Sequence, residues 1–377
     1  MSKSSKNILF YSILYLIMVV GILILNYDPY KNTSYFHTTE EELVTEEGEK
    51  IEEKFAKPEF VRGIYLTAYS AASESYRKTL FESLKDSRIN SVVIDIKDYS
   101  GYILYDSQVE TVKEINASRN RMPDLKKIIE EFHQAGIYTI ARQTVFQDPV
   151  LAPARPDTAM KTKNGNVWYD NKGLAWVDPK NKDVWEYNLA IANEAIELGF
   201  DEINFDYMRY PSDGNMYNLV YDLPEEKTKA EVLNEFFKFL SDNLSAKAKI
   251  SIDMFGLVMD HTDDEYDLNI GQRVADAADH FDYVCPMMYP SHYPLNYLGY
   301  ANSAEHPGPV IAYGLKISEE ALKNKRAKVR PWIQAFHMRA TYDSAKIEAQ
   351  VDAVENATTT EGWLMWNARN YYPAYIF

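Results

Sequence analysis

The sequence has a single cysteine in 377 residues, so no intramolecular disulfide is available to it. That residue, Cys285, lies in an apolar run and reads as a small core side chain; cysteine usage is silent about compartment. Basic residues are also scarce, 40 Lys and Arg against 56 Asp and Glu, for a formal net charge of -16. Tight binding to nucleic acid, which needs Lys and Arg clustered on phosphates, is disfavoured. A polyanionic substrate is disfavoured for the same reason, unless a local basic cleft overrides the global sign. The seven histidines are scattered. His261-Thr262-Asp263-Asp264 reads as a loop with no matching cluster at strand ends, so the paired histidines of metal-dependent hydrolases and polysaccharide deacetylases are missing. No metal and no cofactor are expected.

Apolar and aromatic residues are plentiful: 46% of the chain is hydrophobic, with 29 Tyr and 6 Trp. One apolar run, Ile8 to Leu25, is uncharged, follows Lys3 and Lys6, and is long enough to span a bilayer as a helix. The lysines favour a cytoplasmic N-terminus. No small-x-small cleavage pattern follows, the next residues being Asn26-Tyr27-Asp28-Pro29-Tyr30, so an uncleaved signal anchor is expected rather than a cleaved leader. No Cys follows it, which excludes a lipoprotein. Residues 1–26 therefore read as a cytoplasmic stub and transmembrane anchor. Residues 27–58, with Glu40-Glu41-Glu42 and the run from Glu46 to Lys54, read as an acidic linker. Residues 59–377 read as a domain held outside the cell by a single-pass anchor.

In that domain, strand patterns alternate with helix patterns. Strands are predicted over 61–69, 91–98, 137–146, 202–207, 249–257, 283–289, 329–336 and 362–367. Helices are predicted over 75–86, 123–135, 182–198, 225–244, 270–280, 318–325 and 344–356. Eight strands alternating with helices over about three hundred residues is the pattern of an α/β fold of the (β/α)8 TIM-barrel type. One connection, Gln147 to Pro179, is too long for a plain turn. It carries Trp168 and Trp176, and it follows the third strand, so it is expected to fold over the barrel mouth.

The central stretch is Asp201-Glu202-Ile203-Asn204-Phe205-Asp206-Tyr207-Met208-Arg209-Tyr210-Pro211. Its alternation sets Ile203 and Phe205 on one strand face and Asn204 and Asp206 on the other. In a parallel barrel the second face points inward and its C-terminal end is the active-site mouth. The other strands, read the same way, bring polar groups to that mouth: Tyr65; Asp95 and Lys97, with Asp98 just beyond; Arg142; Asp253; Met287 and Tyr289; Gln334; Trp366, with Asn367 at the rim. Two aspartates on adjacent strands suit glycoside hydrolysis, in which one carboxyl donates a proton and the other attacks the sugar or activates water. Asp206, with Arg209 near it and Arg142 across the mouth, is assigned nucleophile or base. Asp253, flanked by Met254 and Phe255, is assigned general acid, with Asp95 in reserve. Trp168 and Trp176 are expected to contact substrate.

These residues also resemble a bacterial family of glycoside hydrolase-like TIM barrels, formerly a domain of unknown function. The resemblance rests on the central stretch together with Val61-Arg62-Gly63-Ile64-Tyr65, Val93-Ile94-Asp95-Ile96-Lys97-Asp98, Ile140-Ala141-Arg142, Phe146-Gln147-Asp148-Pro149 and Trp176-Val177-Asp178-Pro179. It implies a barrel and carbohydrate hydrolysis. More distantly, the central stretch is similar to the strand-four motif of chitinases, but Met208 stands where the catalytic Glu would be. The α-amylase clan is similar in having a strand-four Asp and a strand-five acid, but Asn204 stands where the amylase Arg would be. The leading reading is a membrane-anchored extracellular glycosidase acting on a polysaccharide or cell-envelope glycan. The alternative is a non-catalytic carbohydrate-binding barrel at the cell surface. Oligomeric state is not legible.

Overall fold

The computed structural model describes residues 56–224, 226–262 and 266–377. The apolar run at 8–25 and the acidic run up to Lys54 lie outside the described residues. Eight parallel strands close on themselves: β1 Val61–Leu66, β2 Ser91–Lys97, β3 Tyr138–Thr144, β4 Glu202–Asp206, β5 Lys249–Phe255, β6 Tyr283–Met287, β7 Trp332–Gln334 and β8 Gly362–Trp366. β8 returns to β1, and β7 reaches β6 through Trp332 opposite Met287. The seventh strand is interrupted. Lys328–Val329 pairs with β6 first, and Pro331, which has no N–H to give to a ladder, separates that piece from β7.

Helices α1 Glu74–Leu84, α2 Leu125–Gln134, α3 Lys182–Glu197, α4 Lys229–Leu244, α5 Val274–His280, α6 Pro307–Leu322 and α7 Ser344–Glu355 surround the barrel. Three starts differ from the sequence reading by four residues or more: α4, α5 (Val274 against 270) and α6. α4 begins after Thr228, whose side chain caps Glu231 N–H while Glu231 caps Thr228 in return. α6 begins eleven residues before the predicted Ser318, with Pro307 in its first turn. No helix among the described residues is long and apolar enough to cross a membrane.

Period-two alternation divides the core into two compartments. Val92, Ile94 and Ile96 of β2 pack outward against the helices. Val93 packs inward with Tyr65, Tyr138, Ile140, Tyr283, Cys285, Trp332 and Leu364. The barrel floor is polar and centres on one ion pair. Arg330 grips both carboxylate oxygens of Glu202, Ser251 Oγ donates to Glu202 Oε1 (2.6 Å), and the guanidinium lies over the Tyr283 ring (4.1 Å). β8 can start beside this pair only with a glycine: Gly362 has φ +145°, and a Cβ there would sit 2.3 Å from the Val61 carbonyl.

The long connection after β3 has structure of its own. Gln147 bridges to Trp176 and Ala159 to Val177, and Lys161–Thr162 pairs antiparallel with Leu219–Val220. Its start is pinned by an ion pair, Lys97 Nζ to Asp148 Oδ2 at 2.7 Å, with both side chains fully enclosed.

Candidate active site

Arg142 is the hub of the barrel mouth. It comes from β3, beside Asn204 in the β3–β4 register. Its guanidinium donates through Nη1 to Asp95 Oδ1 (2.6 Å), through Nη2 to Asp206 Oδ2, and through Nε to Asp253 Oδ2 (3.4 Å). Burial works against its charge, but Asp206, Asp95 and Asp253 outweigh that and hold its pKa well above the usual value. A fork-shaped cation with five N–H donors can serve three carboxylates in this way, whereas a lysine ammonium could not keep the geometry.

Above it opens a cavity of about 200 Å³, lined by Arg142, Asp206, Tyr207, Arg209, Asp253, Phe255, Met287, Tyr289, Trp332 and Trp366. A roomier cavity of about 870 Å³ lies between the long connection and the start of α3, at Lys161, Lys180 and Trp185. None of the mouth carboxylates lines that one, so the chemistry belongs to the smaller cavity.

The two lining carboxylates have different surroundings. Asp206 Oδ1 accepts the backbone N–H of Tyr207 (2.5 Å), and its Oδ2 takes Arg142. Asp253 Oδ1 accepts from Asn204 Nδ2 (2.9 Å) and Trp332 Nε1 (2.6 Å), leaving Oδ2 with only the long contact to Arg142. Burial, with the charge of Asp206 adding to it, pushes the Asp253 carboxyl up to about 7 against the pull of Arg142, Asn204 and Trp332. Asp95 is also raised by burial, which Arg142 and Tyr65 oppose. It does not line the cavity. It pairs in register with Arg142 and is bonded to Tyr65 Oη (2.5 Å).

Tyr65 stacks on Trp366 (centroids 4.0 Å apart), and Trp332 meets Trp366 edge-on (5.6 Å). Arg209 lines the opposite wall beneath Phe255, Trp176 and Tyr207.

Several candidate residues stand elsewhere. Lys97 does not share the face of Asp95: the β2–β3 register shifts between the two, and the Lys97 ammonium points out to Asp148 and the Tyr187 ring of α3. Asp98 closes its own turn, accepting from Ser100 N (2.9 Å) and Ser100 Oγ. Gln334 ties loops, accepting from Ser291 N and donating to the Phe336 carbonyl. Asn367 braces the rim by donating to the carbonyls of Ala335 and Tyr371.

Trp168 and Trp176 are each 1% exposed. Trp168 packs against Gly214, where a Cβ would come within 2.7 Å of its ring, and donates to the Asn215 carbonyl. Trp176 donates to Asp170 Oδ2 and meets the cavity wall from behind, through Arg209 and the Tyr207 ring. The two tryptophans of the long connection are its own core because a 33-residue excursion must bury something to hold a shape. Tyr207 escaped the alternation argument altogether. Its φ of 54° turns it out of the strand pattern and onto the cavity wall.

Among the described residues, no group of three or more His, Cys, Asp or Glu is arranged to hold a metal ion.

A family model described as "Putative glycosyl hydrolase domain" matches residues 63–372. No curated protein matches the sequence. A hypothetical protein from Ruminiclostridium thermocellum ATCC 27405 is 37% identical over 50% of this chain and 96% of its own, with a TM-score of 0.47. The glycoside hydrolase domain of PgaB (BpsB) from Bordetella bronchiseptica superposes with a TM-score of 0.60 at 12% identity, over 82% of this chain and 94% of its own. The endo-beta-1,4-mannanase from Thermotoga petrophila does so with a TM-score of 0.53 at 15% identity, over 85% and 73%. At such identities the last two speak for the barrel fold.

Proposed function

The chain belongs to the glycosyl hydrolase domain family whose model spans residues 63–372, and on that premise we propose that it is a membrane-anchored extracellular glycosidase that cuts a polysaccharide or cell-envelope glycan with two carboxylates. One observation carries the reading. Asp206 and Asp253, on adjacent strands, share the guanidinium of Arg142 at one cavity, and burial beside Asp206 pushes the Asp253 carboxyl up to about 7.

In this mechanism Asp206, held by Arg142 and the Tyr207 N–H, works as the carboxylate that attacks the anomeric carbon or activates water. Asp253 carries a proton near neutral pH and delivers it from Oδ2 to the leaving glycosidic oxygen. Asn204 and Trp332 fix its other oxygen, so the acid is aimed without being ionised. Trp366, Tyr289 and Phe255 offer ring faces to a sugar. A polymer is favoured over a single ring because a second cavity of about 520 Å³, with Phe336 and Tyr371 in its wall, shares Trp366 with the first.

The test is release of reducing ends from a panel of plant, fungal and bacterial cell-wall polysaccharides, using the full-length chain beside Asp206→Asn and Asp253→Asn. Removal of either carboxyl is expected to cost at least three powers of ten in turnover and leave glycan binding measurable. Glycan binding without turnover by the unaltered chain would make it a carbohydrate-binding barrel instead. The anchor rests on the apolar run at 8–25 and the lysines before it. Protease added to intact cells is expected to cleave the domain, and protection of it would overturn the outward orientation.

A further inference from the structure

Arg209 is a buried cation without a counter-charge. Its residue is only 8% exposed, and it lines the 200 Å³ cavity beside Asp206. Nη1 donates to the Tyr210 carbonyl (3.1 Å) and to Ser212 Oγ (3.3 Å). Among the described residues, Nε and Nη2 have no acceptor and no carboxylate lies within the 4.0 Å of an ion pair.

The nearby acids are committed elsewhere. Asp206 serves Arg142 and the Tyr207 N–H. Asp170 accepts from Lys172 N, Leu174 N and Trp176 Nε1. Asp213 is exposed to solvent. The guanidinium is held instead by ring faces, with Phe255 at 4.6 Å, Trp176 at 4.9 Å and Tyr207 at 5.2 Å. Aromatic faces pin a guanidinium and keep it charged, but they leave its in-plane N–H groups free. Burial lowers the pKa of Arg209, and the opposing pull of Tyr207, Asp206, Asp213 and Asp170 does not make up for it.

We infer that the cavity takes an anionic sugar, whose carboxylate or ester-linked phosphate or sulfate oxygens fill the Nε and Nη2 side of Arg209. Arginine presents those two donors in the spacing of a planar oxyanion. The net charge of -16 weighs against a polyanion on the whole surface. It does not govern a half-enclosed cavity, because charges beyond about 8 Å are screened at physiological salt. That the anion is carried by a sugar rests on the glycosidase reading; the oxyanion site does not.

The test uses ligand pairs matched in everything but charge: glucuronate and glucose, galacturonate and galactose, and glucose 6-phosphate and glucose 6-sulfate against glucose. Inorganic phosphate and acetate are included as bare anions. Binding to the full-length chain is read by tryptophan fluorescence and calorimetry. At least one acidic member is expected to bind ten-fold or more tighter than its neutral partner, and the preference should weaken as salt is raised. Arg209→Met should abolish the preference and Arg209→Lys should restore part of it, with near-ultraviolet circular dichroism reporting that both variants are folded. Equal binding within every pair, or a preference that survives Arg209→Met, would overturn the inference. Should Arg209→Met fail to fold, equal binding by the unaltered chain still decides against it.

The two readings fail separately. A charge preference with no hydrolysis of any glycan keeps the oxyanion site and removes the glycosidase. Hydrolysis of neutral glycans only, unchanged in Arg209→Lys, keeps the glycosidase and removes the oxyanion site. Binding of bare phosphate or acetate as tightly as any acidic sugar would show an anion site that does not select sugars, and the inference would fall.

Discussion

The backbone N–H of Tyr207 donates to Oδ1 of Asp206, the residue before it, at 2.5 Å. Just past that nitrogen Tyr207 adopts the left-handed conformation, φ 54°, where β4 ends. A non-glycine residue held there costs on the order of 1–2 kcal/mol, so the strand gives up backbone stability to turn the Tyr207 ring onto the cavity wall. Tyr207→Val should be less stable than Tyr207→Asn by about 1–2 kcal/mol, since β-branching disfavours positive φ and asparagine tolerates it. Asparagine should also retain more activity. Denaturant melts and initial rates on the two variants side by side check this; equal losses would mean that the left-handed turn carries no strain at this position.

Arg142 offsets three buried acids at once, so its removal should be among the costliest changes in the domain. Arg142→Gln leaves Asp95, Asp206 and Asp253 facing one another with no cation between them. Breaking a buried pair costs about 3–5 kcal/mol. Without the cation, the folded-state carboxyl pKa values rise above their unfolded values. The variant should therefore keep most of its stability at acid pH and lose it as pH rises through neutrality. Melting temperatures at pH 5 and pH 8 read this directly, and a deficit equal at both would mean that the arginine matters for packing and not for charge.

Much of this site is legible from alternation because the barrel imposes it. Asn204, Asp206, Asp253 and Arg142 converge simply because period-two strands in a closed sheet point every second residue inward. The failures fall where the period breaks. The register shift after Asp95 sends Lys97 outward, and the left-handed turn at Tyr207 brings inward a ring that alternation would have sent away. The floor pair of Glu202 and Arg330 was open to the same reasoning on the Glu202 side, two residues before Asn204. Arg330 was open to it too, having the parity of Gln334 in the predicted strand 329–336, although the proline beside it splits that strand. Trp168 and Trp176 went astray for another reason: nothing in a loop sequence distinguishes an aromatic that meets a ligand from one that the loop folds around.

That distinction is measurable. Trp168 fills the space above Gly214 and Trp176 the space between Asp170 and Arg209. Trp168→Ala should cost about 3–5 kcal/mol of stability, as buried tryptophans do, and leave sugar affinity within about twofold. Trp176→Ala should lose comparable stability and also weaken acidic ligands, because one of the three rings on Arg209 disappears. Calorimetric titration on variants that are shown to be folded separates the two; a large affinity loss in Trp168→Ala with little destabilisation would return that residue to the substrate.

Asp253 supplies the sharpest pH signature. Its carboxyl is raised from 3.8 to about 7 by burial and by the charge of Asp206. The folded state therefore binds this proton more tightly than the unfolded state does. The contribution to stability is complete below about pH 4 and is lost as pH rises through 7, with a ceiling of about 4 kcal/mol at about 1.4 kcal/mol per unit. Asp253→Asn should flatten that slope, whatever it does to absolute stability. In turnover, kcat/KM should fall above about pH 7 as the acid loses its proton, with an apparent value that belongs to the Asp206–Asp253 pair. Asp206→Asn removes the neighbouring charge, so the Asp253 carboxyl should then ionise at lower pH, visible as a shifted carboxyl band by infrared difference spectroscopy even if the variant is inactive. An alkaline limb that stays flat to pH 9, together with an unshifted band in Asp206→Asn, would take the acid role from Asp253 and pass it to Asp95, whose contact with Tyr65 would then be the next bond to cut.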